Sequence, residues 1–291
     1  MGGCGMNFLK SLLLCLLLAG SASAQNIIMK DGKVITAKNL RRQGDMIMAT
    51  VDLASGTAGQ GTASGEFGYP IAQIDKIDFP EPAEIKSAGE LIATGKAADA
   101  LVQLEPVVKY YEAFRDAPGS WWADVSLLKV QALISLGRDD EAEQLAGGIA
   151  ATATDPATIR AAKVYVARGI ARHGDQAKAM EMYDSVLKDE TRPQTIAAVA
   201  ACVGQIHLAR KEWEPALLSF LQVPVFYPQQ KVVMPQVLLG CGKAYIGLED
   251  YTRAKASLNE LTTTYSSTPE AVQGKADLDK IAKLENTAET P

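Results

Sequence analysis

The alternation of apolar and polar residues changes character once along the chain, near residue 80. From residue 26 to residue 79, short apolar runs are separated by two turn signals, Asp31-Gly32 and Gly44-Asp45. Runs bounded by such turns predict short strands, and roughly five of them in so short a segment indicate a small barrel or curled sheet. The paired prolines of Pro80-Glu81-Pro82 then predict an extended linker that ends strand pairing.

After the linker, alanine-rich segments with apolar residues three and four positions apart predict helices. Four of these segments share a short polar turn that ends in alanine, and the alanines follow at intervals of 37, 37 and 38 residues: Ala142, Ala179, Ala216 and Ala254. A fixed period in this range is typical of stacked helix-turn-helix units. Twelve residues before each of the last three alanines lies another small residue: Ala167, Gly204 and Gly242. We expect these seven residues to be the points at which helices cross closely.

The last two copies of this pattern carry a family resemblance. The series Leu238, Gly242, Tyr245, Ala254 and Leu258 resembles the tetratricopeptide repeat, and the preceding copy follows it nearly as well. The resemblance covers about 200 residues, and each copy is longer than the usual 34 residues by about one helical turn. It implies a mainly α fold, an α-α solenoid of about five helix pairs with a C-terminal capping helix. It also implies a protein or peptide binder, because such arrays bind many kinds of protein surface.

The first region resembles the Sm-like and SH3-like small β-barrels. The resemblance rests on residues 28–35, a strand and its Asp-Gly turn, and on the Ile-Asp-x-Ile string of residues 74–77. The predicted organisation is therefore a β-rich domain over 25–79, a linker over 80–82, helical repeats with their cap over 83–284, and a disordered tail over 285–291.

In tetratricopeptide arrays the exposed face of the first helix of each pair lines a concave groove. Carried over by position, the resemblance implies eight groove residues: Asp124, Leu127, Gln131, Arg168, Arg172, Gln205, Gln236 and Lys243. Three of the eight are cationic within an acidic chain, which suits an extended segment that carries carboxylates. The alternative interpretation of each position is an ordinary solvated helix face.

The first 24 residues have the pattern of a secretory signal peptide. Lys10 precedes a short apolar run, and Ala22-Ser23-Ala24 matches an A-x-A cleavage site, so we expect cleavage after Ala24 and a periplasmic or secreted protein. The run is shorter than the roughly 20 residues of a membrane span. Lipid attachment at Cys15 is not expected, because Leu14 stands where a small residue is required.

Composition narrows the functional classes further. The formal net charge of −5 argues against nucleic-acid binding, which requires a basic face. The only histidines, His173 and His207, belong to no catalytic pattern, and the cysteines lack metal-ligand spacing, so no catalytic residue, metal or cofactor is expected. Outside the signal segment, Cys202 and Cys241 either form a disulfide or remain as two buried thiols.

These observations lead to one preferred function and two alternatives. The preferred function is a non-catalytic scaffold of the bacterial cell envelope that binds another envelope protein or peptide in the groove. The first alternative is a structural envelope component that forms homo-oligomers through its β domain. The second is a carbohydrate or ligand binder that uses Trp121, Trp122 and Trp213 as stacking platforms, although tryptophans at helix starts more often fill a core.

Overall fold

The computed structural model describes residues 25–53 and 63–288, so the expected signal peptide lies outside the described residues. The described chain forms two compact units. The β unit runs to Glu81 and includes Ala117–Ser120, and the helical unit contains the remaining residues. The predicted fold class, a helical solenoid preceded by a small β region, is confirmed.

The β unit contains two three-stranded antiparallel sheets among its described residues. One has the strand order β2-β1-β6 and the other the order β3-β4-β5. A single turn of 3-10 helix, Ile71–Gln73, precedes the last strand. The six strands are β1 (Gln25–Met29), β2 (Val34–Ala37), β3 (Asn39–Gln43), β4 (Met46–Leu53), β5 (Ala63–Pro70) and β6 (Ile74–Asp78).

Both predicted turn signals lie at hairpins of the β unit. Gly32 connects β1 to β2 and Gly44 connects β3 to β4, and both adopt positive φ angles, which glycine tolerates without steric cost. Only Lys38 separates β2 from β3, and its N–H donates to the carbonyl of Thr50 over 2.8 Å. The chain therefore passes from one sheet to the other without a loop. Alternate residues of the strands face a small core of fully or nearly fully buried side chains: Ile27, Ile35, Leu40, Ile47, Ile74 and Ile77.

The helical unit contains eleven helices in its described part, which form five consecutive pairs and a final single helix. The prediction of about five pairs with a capping helix is thus confirmed. The last helix continues past Leu284, the predicted end of the repeats. The helices are α1 (Ala83–Ala93), α2 (Ala97–Glu112), α3 (Trp122–Ser135), α4 (Asp139–Thr152), α5 (Pro156–Arg172), α6 (Gln176–Leu187), α7 (Pro193–Ala209), α8 (Trp213–Phe226), α9 (Met234–Gly247), α10 (Tyr251–Thr264) and α11 (Pro269–Ala288).

Proline and aspartate residues set several of the helix starts. Pro156, Pro193 and Pro269 are the first residues of α5, α7 and α11, where the missing N–H of proline has no helical partner to lose. Asp155 and Asp175 accept a hydrogen bond from the N–H of the third residue of α5 and α6, respectively, and so satisfy a donor that the helix leaves free. The local sequence therefore fixes these starts before any packing is considered.

Several close helix contacts occur at glycines. Phe220 of α8 is fully buried between Gly204 of α7 and Gly240 of α9. A Cβ atom added at Gly204 would lie 2.6 Å from the Phe220 ring, and one added at Gly240 would lie 2.4 Å from it. In the next pair, a Cβ atom added at Gly242 would lie 2.4 Å from the side chain of Leu258. The ring of Phe220 and the side chain of Leu258 thus fill the space that glycine leaves on the neighbouring first helices.

All seven small residues expected at helix crossings are buried: Ala142, Ala167, Ala179, Gly204, Ala216, Gly242 and Ala254. The side chains nearest to Gly204 and Gly242 are those of Phe220 and Leu258. Each lies four residues after the alanine, Ala216 or Ala254, that the sequence pattern had paired with the glycine. Because the ring of Phe220 touches glycine on both sides, it has no room to move away from a new methyl group.

We predict that Gly240→Ala lowers the free energy of unfolding by about 1–3 kcal/mol, because the new methyl group overpacks a core whose central ring cannot shift. Urea denaturation followed by circular dichroism measures the change. A second substitution, Phe220→Leu, is expected to restore part of the stability of Gly240→Ala, since leucine leaves space for the methyl group.

The matched control is Gly148→Ala, which lies inside α4 with nothing within 4 Å of the added Cβ. It is expected to raise the free energy of unfolding by about 0.5–1 kcal/mol, because alanine is the better helix former. Equal effects of Gly240→Ala and Gly148→Ala would show that the contact with Phe220 does not constrain the fold.

A divided concave surface as the candidate binding site

Four successive first helices place equivalent residues in a row. Gln131 of α3, Arg168 of α5, Gln205 of α7 and Lys243 of α9 follow at the repeat spacing of 37, 37 and 38 residues. This row belongs to the predicted groove. The eight predicted groove residues do lie along the first helices, but they line two separate cavities.

The larger cavity, here termed the C-terminal cavity, has a volume of about 410 Å³. Five predicted groove residues line it: Arg168, Arg172, Gln205, Gln236 and Lys243. The smaller, the N-terminal cavity, has a volume of about 220 Å³ and is lined by the other three, Asp124, Leu127 and Gln131. The eight predicted groove residues are therefore distributed over two cavities.

The connection between α8 and α9, residues 227–233, divides the groove, and we term it the crossing segment. Val232 and Val233 line the N-terminal cavity and also a pocket of about 50 Å³ that shares residues with both cavities. Val232 packs in addition against the core of the first repeats, which contains Ala88, Ile92 and Val125. The crossing segment, which follows the fourth helix pair, thus contacts the core of the first repeats across the concave surface.

A second contact joins the ends of the helical unit. Gly95, in the turn between α1 and α2, lies against the backbone of residues 267 and 268, just before α11. An added Cβ would meet the carbonyl oxygen of Ser267 at 2.2 Å. The two ends of the repeat array therefore lie against each other. The concave surface is narrower than it would be in an array whose ends did not touch.

Carboxylates of α4 offset the two arginines of the C-terminal cavity. Arg168 donates to Asp139 over 2.7 Å, and Arg172 pairs with both Asp140 and Glu143. The arginines are therefore anchored to the neighbouring helix and do not present unopposed charge to the cavity. This pairing removes the basic character that the sequence predicted for the groove.

The remaining polar groups of the C-terminal cavity are mostly uncharged. Lys243 donates to the amide oxygen of Gln273 over 3.0 Å, and Glu270 adds a carboxylate in the first turn of α11. Three cations and four carboxylates therefore surround the cavity, when the α4 partners of the arginines are included. Because the carboxylates outnumber the cations, an anionic ligand would gain little electrostatic free energy on binding here.

The N-terminal cavity is mostly apolar, with side chains such as Ile85, Leu128 and Val164 in its walls. The amide of Gln131 donates to the hydroxyl of Tyr165 over 2.6 Å, which fixes both side chains. Burial raises the pKa of Tyr165 to about 12, so its phenol stays neutral. Thr195 is also buried in the wall, and its hydroxyl has no hydrogen-bond partner among the described residues.

Glu190 holds the edge of the N-terminal cavity in place. Its side chain is fully buried and accepts hydrogen bonds from the backbone and guanidinium of Arg192, which lines the cavity, and from Arg160 of α5. Burial by itself would raise the pKa of this carboxyl, but the hydrogen bonds and charge of Arg192 and the charge of Arg160 outweigh burial and lower it. Glu190 therefore stabilises the folded chain in its ionised form.

We predict that Glu190→Gln lowers the free energy of unfolding at pH 7 by about 1.5–3 kcal/mol, because it removes hydrogen bonds to a buried charged group. A carboxyl whose pKa is lower in the folded state stabilises the fold above its unfolded pKa of about 4.3, and this contribution disappears as pH falls through the folded pKa. Urea titrations at a series of pH values measure the difference between wild type and variant. A difference that stays constant down to pH 2 would contradict the assigned role.

Cys202 and Cys241 are both buried free thiols, so of the two sequence alternatives the structure has the unbridged one. They belong to different core clusters. Burial raises the pKa of both, that of Cys241 to about 12, which leaves the thiols protonated and unreactive. Cys202 also lines the C-terminal cavity.

The remaining candidate side chains have structural contacts. His173 lies 3.2 Å from the carboxylate of Glu143, and His207 contacts Glu212. The half-buried indole of Trp213 packs on Gly247, where an added Cβ would lie 2.4 Å from the ring. No group of three His, Cys, Asp or Glu side chains within residues 25–53 and 63–288 is arranged to hold a metal ion.

No helix within the described part of the chain combines the length and the apolarity that crossing a membrane requires. No protein-family model matches the chain, and no curated protein matches it. Among solved structures, one similar chain is a variant of a protein named as a kinesin light chain with nearly identical TPR-like repeats, from Podosopora anserina. It has 16% sequence identity and a TM-score of 0.38, over 62% of this chain and 91% of that chain. Similarity at this level identifies neither a family nor a ligand.

Proposed function

We propose that the chain is a non-catalytic scaffold of the bacterial cell envelope that binds an extended segment of another envelope protein on the concave surface of its helical unit. The observation that carries the proposal is the C-terminal cavity. Its volume of about 410 Å³ lies within the range of ligand sites, and side chains from four first helices and the capping helix converge on it. Tetratricopeptide-like arrays, which the repeats resemble, use this surface for binding.

The envelope location is supported by the signal-peptide pattern of the first 24 residues. The scaffold role is supported by the contacts of the titratable side chains. Within the described residues, each candidate histidine contacts a glutamate and both cysteines are buried, so neither residue type offers an exposed nucleophile or base to the cavities. The concave surface is therefore suited to recognition.

The crossing segment limits how a partner would lie. A segment that occupied the whole length of the first helices would have to displace Val232 from the core of the first repeats. A segment confined to the C-terminal cavity needs no such change. We therefore place the partner in the C-terminal cavity, between α5 and α11, with the crossing segment as one boundary.

We predict that Gln205→Trp abolishes partner binding, because an indole at the centre of the row of first helices fills the C-terminal cavity. The wild-type chain and the variant would be immobilised and exposed to envelope extract from the source organism. Bound proteins would be identified by mass spectrometry, and the affinity of each would be measured with purified material.

The matched control is Gln222→Trp, an identical substitution at an exposed position of α8 that lines neither cavity. A partner held by wild type and Gln222→Trp but lost by Gln205→Trp supports the proposal. A partner held equally by all three would place binding elsewhere, and the proposed site would be abandoned.

A second candidate function, self-assembly through the β unit, is favoured by one observation. Strand β5 forms the edge of its sheet and carries Phe67 with 42% of its surface exposed. An edge strand with an exposed aromatic residue is a ready template for pairing with another chain.

Light scattering of the full chain tests this candidate. A closed oligomer that Phe67→Lys converts to a folded monomer would favour self-assembly, because a lysine on an edge strand opposes pairing. A monomeric wild-type chain at the highest accessible concentration would remove this candidate.

A further inference from the structure

One side chain that lines the C-terminal cavity carries a buried hydroxyl group without a normal hydrogen bond to any described residue. Tyr183 of α6 lines the cavity, yet only 1% of its surface is exposed. Its hydroxyl makes no hydrogen bond of normal geometry with any described residue. Its polar neighbour is the thiol of Cys202, which interacts with the hydroxyl electrostatically but is a weak acceptor and does not meet the geometry of a normal hydrogen bond. Buried hydroxyl groups are nearly always hydrogen-bonded, so the hydroxyl of Tyr183 retains the capacity to donate one hydrogen bond to a bound group.

Burial raises the pKa of Tyr183 far above its usual range. The phenol therefore remains protonated at every physiological pH and can donate its hydrogen to a carbonyl oxygen. Among the described residues it is the one side chain of this cavity whose buried oxygen lacks a partner.

Two glutamines of adjacent first helices face the same cavity. Gln205 lies on α7 and Gln236 on α9, and both are half-buried. Within residues 25–53 and 63–288, neither side-chain amide has a hydrogen-bond partner. Each amide offers both a donor and an acceptor, which is the pair of groups that a peptide unit also offers.

The charge balance argues against a carboxylate as the bound group. Arg168 and Arg172 are occupied by carboxylates of α4, and Glu270 adds a further negative charge. A bound carboxylate would face this surplus of negative charge, whereas a neutral amide would not. The uncharged donors and acceptors of the cavity are therefore its main means of recognition.

We propose that the C-terminal cavity binds the main-chain amide groups of an extended peptide, with the hydroxyl of Tyr183 donating to one carbonyl and the amides of Gln205 and Gln236 pairing with neighbouring peptide units. This inference rests on the proposed peptide-binding function and specifies its chemistry. Recognition of this kind contacts the backbone of the bound peptide and not its side chains. It tolerates many sequences and depends little on salt concentration, because no ion pair forms.

Two small probes separate amide from carboxylate recognition. Acetyl-trialanine amide carries only main-chain amide groups, and acetyl-trialanine acid differs from it by one terminal carboxylate. The full chain would be titrated with each in a calorimeter. The expected result is that the amide binds at least as tightly as the acid and that its affinity changes less than twofold between about 50 and 500 mM salt.

Tyr183→Phe removes the unpartnered hydroxyl and keeps the ring. The expected result is an approximately fivefold loss of affinity for acetyl-trialanine amide, the effect of one neutral hydrogen bond. The stability of the variant should be equal to or greater than that of wild type, because a buried hydroxyl without a partner is lost. Gln205→Leu should weaken binding similarly, whereas the control Gln222→Leu on the exposed face of α8 should not.

Three results would overturn the inference. If Tyr183→Phe bound acetyl-trialanine amide with unchanged affinity and were more stable than wild type, the hydroxyl of Tyr183 would have no role in binding. Binding of the acid more than tenfold tighter than the amide would show a carboxylate site. Absence of binding by acetyl-trialanine amide would remove main-chain recognition, while a natural partner lost only in Gln205→Trp would still support the proposed scaffold function.

Discussion

The contact of Phe220 with Gly204 and Gly240 is the constraint on which the helical unit depends. One aromatic ring touches the backbone of two first helices, so α7 and α9 approach α8 from both sides at a distance that no side chain on the first helices would permit. The contact of Gly242 with Leu258 repeats this arrangement one pair later. Because these contacts place the first helices side by side, the exposed faces of the first helices form the concave surface. Equivalent residues of successive repeats lie in a row on that surface.

The narrow concave surface follows from the same stacking. The end of α8 directs the crossing segment toward the first two helix pairs, where Val232 packs against the core that contains Val125. The turn at Gly95 meets the backbone near Ser267 at the other end. The crossing segment separates the two cavities, and the contact at Gly95 brings the ends of the array together. A binding surface of this form favours a short segment held at several points over a long segment laid along every repeat.

The character of the C-terminal cavity depends on α4, a second helix that contributes no residue to its lining. Asp139 and Asp140 draw Arg168 and Arg172 toward α4 and offset their charge. With the arginines paired, the neutral groups of Gln205, Gln236 and Tyr183 become the distinctive features of the cavity. The inferred ligand therefore changes from a carboxylate to an amide, although the lining residues are those that the repeat pattern had indicated.

The sequence alone determined the features that depend on local spacing. The alanine period predicted the number of helix pairs, Pro156 and Pro193 marked helix starts, and the two turn signals, Gly32 among them, marked hairpins, because each of these effects acts within a few residues. Only the tertiary structure decided the rest. The pairing of Arg168 with Asp139 and the packing of Val232 against the core around Val125 involve residues that lie from about 30 to more than 100 positions apart. No local pattern encodes such contacts, since they depend on the stacking angle between repeats, which side-chain packing sets.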